Sequence, residues 1–228
     1  MIARLVPGVV ATAWRHDDTE PVSLFPEETA VVARAVTKRR REFATVRLCA
    51  RRALRDLGLP PTPLTPGPRG EPRWPRGVAG SMTHCAGYRA AALARTVDVV
   101  SIGIDAEPAE ALPEGVFEGV TLPEERRHLA TLADRTPELP WGRLLFSAKE
   151  SVFKTWYPLT GRGLEFEEAT LEFTRDSATD PHTGTFRAGL SVPGPVVDGT
   201  RRDHFTGRWL VREGLVLTAI VLTRDGPR

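Results

Sequence analysis

"VVSIGIDAEP" (Val99–Pro108) lies near the middle of the chain, and its alternation decides how the rest is read. In a strand, successive side chains point to opposite faces. Val100, Ile102 and Ile104 then share a face suited to a core. Ser101, Gly103, Asp105 and Glu107 share the other. Two carboxylates so close repel, so they call for an Arg or a hard divalent cation that neutralises them. The same residues are also compatible with an exposed strand end carrying two solvated acids.

Upstream, residues 28–57 predict a long helix, with Phe43, Val46, Ala50, Leu54 and Leu57 on one apolar stripe and Gly58 and Pro60 as stops. Beside that stripe run Arg40, Arg47, Arg51 and Arg55, widened by Lys38, Arg39, Arg41 and Arg52, with Glu42 the single acid among them. This row is either a solvated face or an anion-binding one. A Pro/Gly-rich loop over 60–80 carries Arg69, Arg73 and Arg76. It is long for a compact domain, which suggests a functional edge. It leads into "GSMTHC" (Gly80–Cys85), where Thr83 offers a hydroxyl and His84 an imidazole that is either structural, solvated or a phosphate contact, and then to short strands at about 88–95 and 98–107.

Downstream, Pro123 to about Ala133 predicts one helix and residues 141–157 a second. After Pro158 come strand-like runs: "LEFEEATLEFT", "GTFRAGLSV", "HFTGRWLVREG" and "LVLTAIVLT", the last two joined by a hairpin at Glu213-Gly214. The order helix, strands, helix, strands predicts an α+β fold of two halves, residues 1–108 and 109–228. No sequence repeat marks the halves.

The second of those helices holds "FSAKESVFK" (Phe146–Lys154). Of 31 basic residues only Lys38, Lys149 and Lys154 are Lys, and two of them flank Glu150. Glu150 and Lys154 are i and i+4 and share a side. Arg would make an equally good surface pair, whereas Lys is a compact, movable point charge suited to a phosphate oxygen in motion.

The totals exclude other classes. A formal net charge of +2 is no polycation, which argues against nucleic-acid binding over the whole surface. Cys49 and Cys85 have no zinc-type spacing and no need of a disulfide, which fits a reducing cytoplasm. No apolar run suits a membrane span. An A-x-A at Ala11–Ala13 would end only a very short signal peptide, interrupted by Pro7 and Gly8. His128, His182 and His204 lack partners at ligand spacing, "RHDD" (Arg15–Asp18) reads as a solvated turn, and there is no phosphate-binding glycine loop or nucleophile elbow. The patches together describe metal-assisted chemistry on a diphosphate that carries a further phosphate.

"IGIDAEP" followed about forty residues later by "FSAKESVFK", with "SMTHCAGY" before them, resembles the paired signature of 4′-phosphopantetheinyl transferases of the Sfp/EntD type. "KRRREFATVR", "PRGEPRWP" and "GRWLVREGLVLTAIVL" are similar to its actinobacterial PptT-like branch. The resemblance covers roughly residues 28–222. It implies two similar α+β halves related by pseudo-two-fold symmetry, with the active site between them. It implies transfer of 4′-phosphopantetheine from coenzyme A to a serine of an apo acyl or peptidyl carrier protein, releasing 3′,5′-ADP. The carriers served would be those of fatty-acid, polyketide, non-ribosomal peptide or siderophore synthesis, and the enzyme a cytoplasmic monomer without nucleic-acid or membrane partners.

Carried over, Asp105, Glu107 and Glu150 would ligate Mg²⁺ (or Mn²⁺). Glu150, or a water it holds, would take the proton from the serine, and Lys154 would steady the diphosphate and the departing charge, with Lys149 in support. Thr83 and His84 would contact phosphates, and Arg39 and Arg47 would hold the 3′-phosphate. Where some members carry a loop Lys, this chain has Pro66, leaving Arg69 or Arg73 for that contact. Ala106 stands where some members have a longer polar residue, so a water would complete the metal shell. A metal-dependent phosphohydrolase would use the same carboxylates with water as nucleophile, and a non-catalytic anion-binding module would use the Arg helix as a nucleic-acid patch.

Overall fold

The computed structural model describes residues 1–176, 180 and 182–224. A short 3₁₀ turn at Ile2–Arg4 leads to strand β1 (Ala11–Arg15), helix α1 (Pro26–Val31) and helix α2 (Thr37–Asp56). Strands β2 (Val78–Cys85), β3 (Tyr88–Arg95) and β4 (Val99–Pro108) follow. Then come helices α3 (Val116–Val120), α4 (Pro123–Ala133) and α5 (Trp141–Thr160). The chain closes with β5 (Ala169–Arg175), β6 (Thr183–Leu190), the small hairpin β7 (Val196–Val197) and β8 (Thr200–Arg201), β9 (His204–Arg212) and β10 (Leu215–Thr223). The fold is α+β, as the alternation of helical and strand segments predicts.

The helix expected over 28–57 is two helices. Val32 to Val36 turn between them, where β-branched Val31, Val32, Val36 and Thr37 give little helical preference. α5 runs three residues beyond expectation and takes Pro158 into its last turn. The β9–β10 hairpin is as expected: Glu213 and Gly214 both have positive φ, the requirement of a tight two-residue turn.

Strands order β1-β3-β2 in one antiparallel sheet and β4-β10-β9-β6-β5 in another. β4, assigned from sequence to the half ending at residue 108, is therefore bonded along its length to the C-terminal β10. Between the sheets β2 and β4 run side by side without a backbone ladder. Instead, Ser81 and Thr83 hydroxyls accept the Ile104 and Ala106 amides, each at 3.1 Å. Two short side chains thus weld the halves where a third ladder would otherwise lie.

Each half lays a 20-residue helix across its sheet, α2 on β1 and β3, α5 on β4 and β10. Ile102, Ile104 and Ala106 bury one face of β4 against the alanines of β3 and against Leu210 and Leu217. Val100, expected in that core, borders a cleft instead, because the β4–β10 register shifts between Leu222 and Thr223. The opposite face of β4 is not exposed. It is the seat of α5. A Cβ on Gly103 would lie 2.0 Å from the Ser151 carbonyl, so only glycine permits this approach. Ser101 donates to the Thr155 carbonyl at 2.9 Å on the same seat. The remaining apolar side of α5, with Leu144, Leu145, Val152 and Trp156, packs on β5, β6 and β9, where Trp141 meets Trp209 edge-on at 5.5 Å.

Candidate active site

Because Gly103 brings α5 against β4, the acids of one element face the base of the other. Lys154 donates from Nζ to Asp105 Oδ1 at 2.7 Å and to the Ile104 carbonyl at 3.2 Å. Asp105 is buried, and its Oδ1 also accepts from the Thr83 hydroxyl at 3.2 Å. Its other oxygen, Oδ2, is buried with no partner. A buried carboxylate oxygen left bare is costly, and its presence needs a reason. Glu150, half-buried, stands close enough to Asp105 and Lys154 to feel both charges. Burial raises its pKa first, Lys154 opposes that, and Asp105 adds to it. Glu107 is likewise raised by burial and then by Asp105. Its Oε2 accepts from Arg143 at 3.0 Å.

Two clefts meet at Lys154. One, of about 440 Å³, is bordered by Arg39, Arg47, Pro66, Thr83, His84, Asp105 and Lys154, a basic lining. The other, about 730 Å³, is bordered by Arg69, Trp74, Met82, Glu150, Phe153, Lys154 and Tyr157 among others, and is more apolar. The Pro/Gly-rich loop forms the shared rim, where Pro66 pairs with Pro72 in an isolated bridge. Its predicted role as an edge of the site therefore has a geometric basis.

The sequence-predicted residues divide. Asp105, Glu150 and Lys154 come together. Glu107 lies at the end of the same strand but is drawn to Arg143. Arg39 reaches His84, with Nη1 to Nε2 at 2.6 Å. Crowding by surrounding protein and then the Arg39 charge lower the His84 pKa, although one edge of the residue remains exposed. Arg47 is buried, stacked on the Phe43 ring and donating to the Leu64 carbonyl at 3.1 Å. Burial pushes its pKa down to about 10. The Thr83 hydroxyl is committed to Asp105 and the Ala106 amide. Arg69 is exposed on the rim.

Lys149 is not with them. It is buried on the other side of α5, donating to Glu125 Oε2 at 2.9 Å and to the Phe166 carbonyl at 2.7 Å. Its place next to Glu150 in the sequence predicts a position beside Lys154, but its partners, Glu125 and Phe166, draw it to another face of the helix. Arg143 was missed altogether: its partner is 36 residues away, and no spacing rule points to it.

Among the described residues no three His, Cys, Asp or Glu side chains converge closely enough to cage a metal as they stand. The donor chemistry nevertheless fits a hard divalent cation: carboxylate oxygens only, one of them buried and unpartnered.

An α+β fold whose halves meet at an acid–lysine cluster, beside a cleft lined with Arg and His, suits the handling of a phosphorylated ligand. Residues 27–94 match the 4′-phosphopantetheinyl transferase N-terminal domain, and residues 101–194 match the 4′-phosphopantetheinyl transferase superfamily. The chain is 61% identical to 4′-phosphopantetheinyl transferase Svp of Streptomyces mobaraensis, over 97% of this chain and 89% of Svp. It is 49% identical to Npt of Nocardia iowensis, over 96% and 99%. It is 46% identical to PptT of Mycobacterium tuberculosis, over 97% and 98%. The chain belongs to the 4′-phosphopantetheinyl transferase superfamily. The two matched segments divide between residues 94 and 101, so β4 falls with the C-terminal half by sequence as it does by hydrogen bonding.

Proposed function

We propose that this site cleaves coenzyme A at its diphosphate, passing 4′-phosphopantetheine to a serine hydroxyl of an apo acyl or peptidyl carrier protein and releasing 3′,5′-ADP. The observation that supports this most is the position of Lys154. Its ammonium stands where the basic and the apolar cleft meet, beside a buried carboxylate. A diphosphate at that point would direct the nucleotide phosphates toward Arg39 and His84 and the pantetheine arm toward the apolar cleft.

Glu150 takes the proton of the attacking serine. Burial raises its pKa above the ordinary carboxylate value, which makes it a stronger base than a solvated carboxylate. Lys154 meets the charge on the departing phosphate, and its single-bonded stem lets the ammonium follow that oxygen. Arg39 and His84 hold the 3′-phosphate, with Arg47 adding charge from the cleft wall. Arg69 offers the loop cation. Thr83 acts through Asp105, whose Oδ1 it holds. A magnesium or manganese ion held by Asp105, Glu107 and Glu150 would neutralise and orient the diphosphate. Lys149 is reassigned from substrate contact to the fold. Two free cysteines suit a reducing cytoplasm, where the enzyme would act as a monomer.

Incubation with coenzyme A, Mg²⁺ and a panel of apo carriers tests this. The expected result is a mass gain of one phosphopantetheine group on at least one carrier. No gain on any carrier class overturns the reading, and 3′,5′-ADP release without a carrier replaces it with a phosphohydrolase.

A further inference from the structure

Arg143, in the first turn of α5, uses all three of its nitrogens. Nε donates to the Glu110 carbonyl at 3.1 Å, Nη2 to the Ala111 carbonyl at 2.7 Å, and Nη1 to Glu107 Oε2 at 3.0 Å. The two carbonyls fix the guanidinium plane independently of Glu107, because they belong to the backbone that follows β4. Arg143 therefore stays where it is whichever way the Glu107 carboxylate turns. Both side chains of the pair are largely shielded, at 13% and 21% exposure, so this is not a freely solvated surface pair. Each acid of the strand has its own cationic partner. Lys154 neutralises the first and Arg143 the second.

We infer that Arg143 is a positioning residue that holds Glu107 as a standing counter-ion, so that a divalent cation must compete for this ligand. The inference rests on the reading of Glu107 as a metal ligand. It adds that the CoA-free protein resists the metal. Entry of the metal then depends on the diphosphate, which supplies the negative charge that Arg143 has cancelled. Premature occupancy of the acid cluster by an ion without substrate is thereby disfavoured.

Mn²⁺ binding, read from the free-ion electron paramagnetic resonance signal, tests this without reference to turnover. In CoA-free protein, Arg143→Gln is expected to tighten Mn²⁺ roughly tenfold, the scale for losing one cation at contact distance from a half-shielded ligand. Arg143→Lys keeps the charge and is expected to keep the weak wild-type affinity. In a Glu107→Gln background, Arg143→Gln is expected to change nothing further. Unchanged or weaker Mn²⁺ binding by a folded Arg143→Gln overturns the competition. A wild-type protein that takes up no Mn²⁺ even with CoA overturns the metal reading beneath it. The two failures are thus distinguishable.

Discussion

The N-terminal and C-terminal halves carry the same latch. "FPEE" (Phe25–Glu28) opens α1, and "LPEE" (Leu122–Glu125) opens α4. In each, Pro starts the helix and the second Glu reaches back to the amide before it, Glu28 to Phe25 and Glu125 to Leu122. Both carboxylates are buried, and each also accepts a leucine amide, Leu64 or Leu171. Each is neutralised from the long helix of its own half, Glu28 by Arg51 of α2, 23 residues on, and Glu125 by Lys149 of α5, 24 residues on. The difference lies one residue further. Arg51 is followed by Arg52, which pairs with Glu20 at the surface, whereas Lys149 is followed by Glu150, which faces the cleft. The shared construction builds the fold, and the residue beside it reaches the cleft in only one half.

The comparison breaks most sharply at that residue. Glu150→Gln is expected to lower carrier modification by about a thousandfold, the scale of a lost general base, with the thermal midpoint unchanged. Arg52→Gln, its neighbour-of-latch counterpart, is expected to change turnover less than about twofold, since it removes one partly exposed pair. Full activity in Glu150→Gln would remove Glu150 from the chemistry.

The latch itself should act on stability in both halves. Lys149→Met and Arg51→Met each leave a buried carboxylate unpaired, at a cost of about 3–5 kcal/mol. Denaturant unfolding checks this, and turnover per folded molecule is expected to stay within a few-fold of wild type. Loss of turnover in a fully stable Lys149→Met would restore Lys149 to the substrate.

Much of this was legible. The acid strand, the KE helix, the closing hairpin and the α+β order all follow from local periodicity and turn chemistry. The latch was not, although its tetrapeptides are nearly identical, because four residues are too few to stand out as a repeat. Adjacency to Glu150 does not put Lys149 on the same side of α5, and its partner, Glu125, lies on another helix. Gly103 was legible as small, but the reason, α5 resting on it, needed three dimensions. The pairing of β4 with β10 was not legible, because the two strands lie more than a hundred residues apart. Local signals fix elements and faces; long-range pairing decides which of those faces meet.

Lys154 sharpens the contrast between the two α5 lysines. Lys154→Arg keeps the charge beside Asp105, but the planar fork is larger and less able to follow a moving oxygen. Turnover is expected to fall about tenfold or more with little change in KM for CoA, since the interaction gains strength in the transition state. Lys149→Arg, by contrast, is expected to keep turnover, because Arg already serves that position in the other latch. Equal kinetic effects of the two would erase the distinction between them.

The smallest expected effect concerns His84. Crowding and then Arg39 hold its pKa below the ordinary histidine value, so the imidazole is neutral in the free protein near neutrality. The unfolded chain takes up the proton first, so His84 subtracts stability as pH falls through the histidine range. A phosphate beside the ring reverses the preference by favouring the imidazolium. CoA binding then takes up a proton, and affinity should rise by about threefold to tenfold as pH falls from neutrality toward the lowered pKa. Calorimetry in buffers of different ionisation enthalpy reads that proton directly. His84→Asn should abolish both the uptake and the pH dependence. An affinity for CoA that is independent of pH in the wild type would place the 3′-phosphate on Arg39 and Arg47 alone.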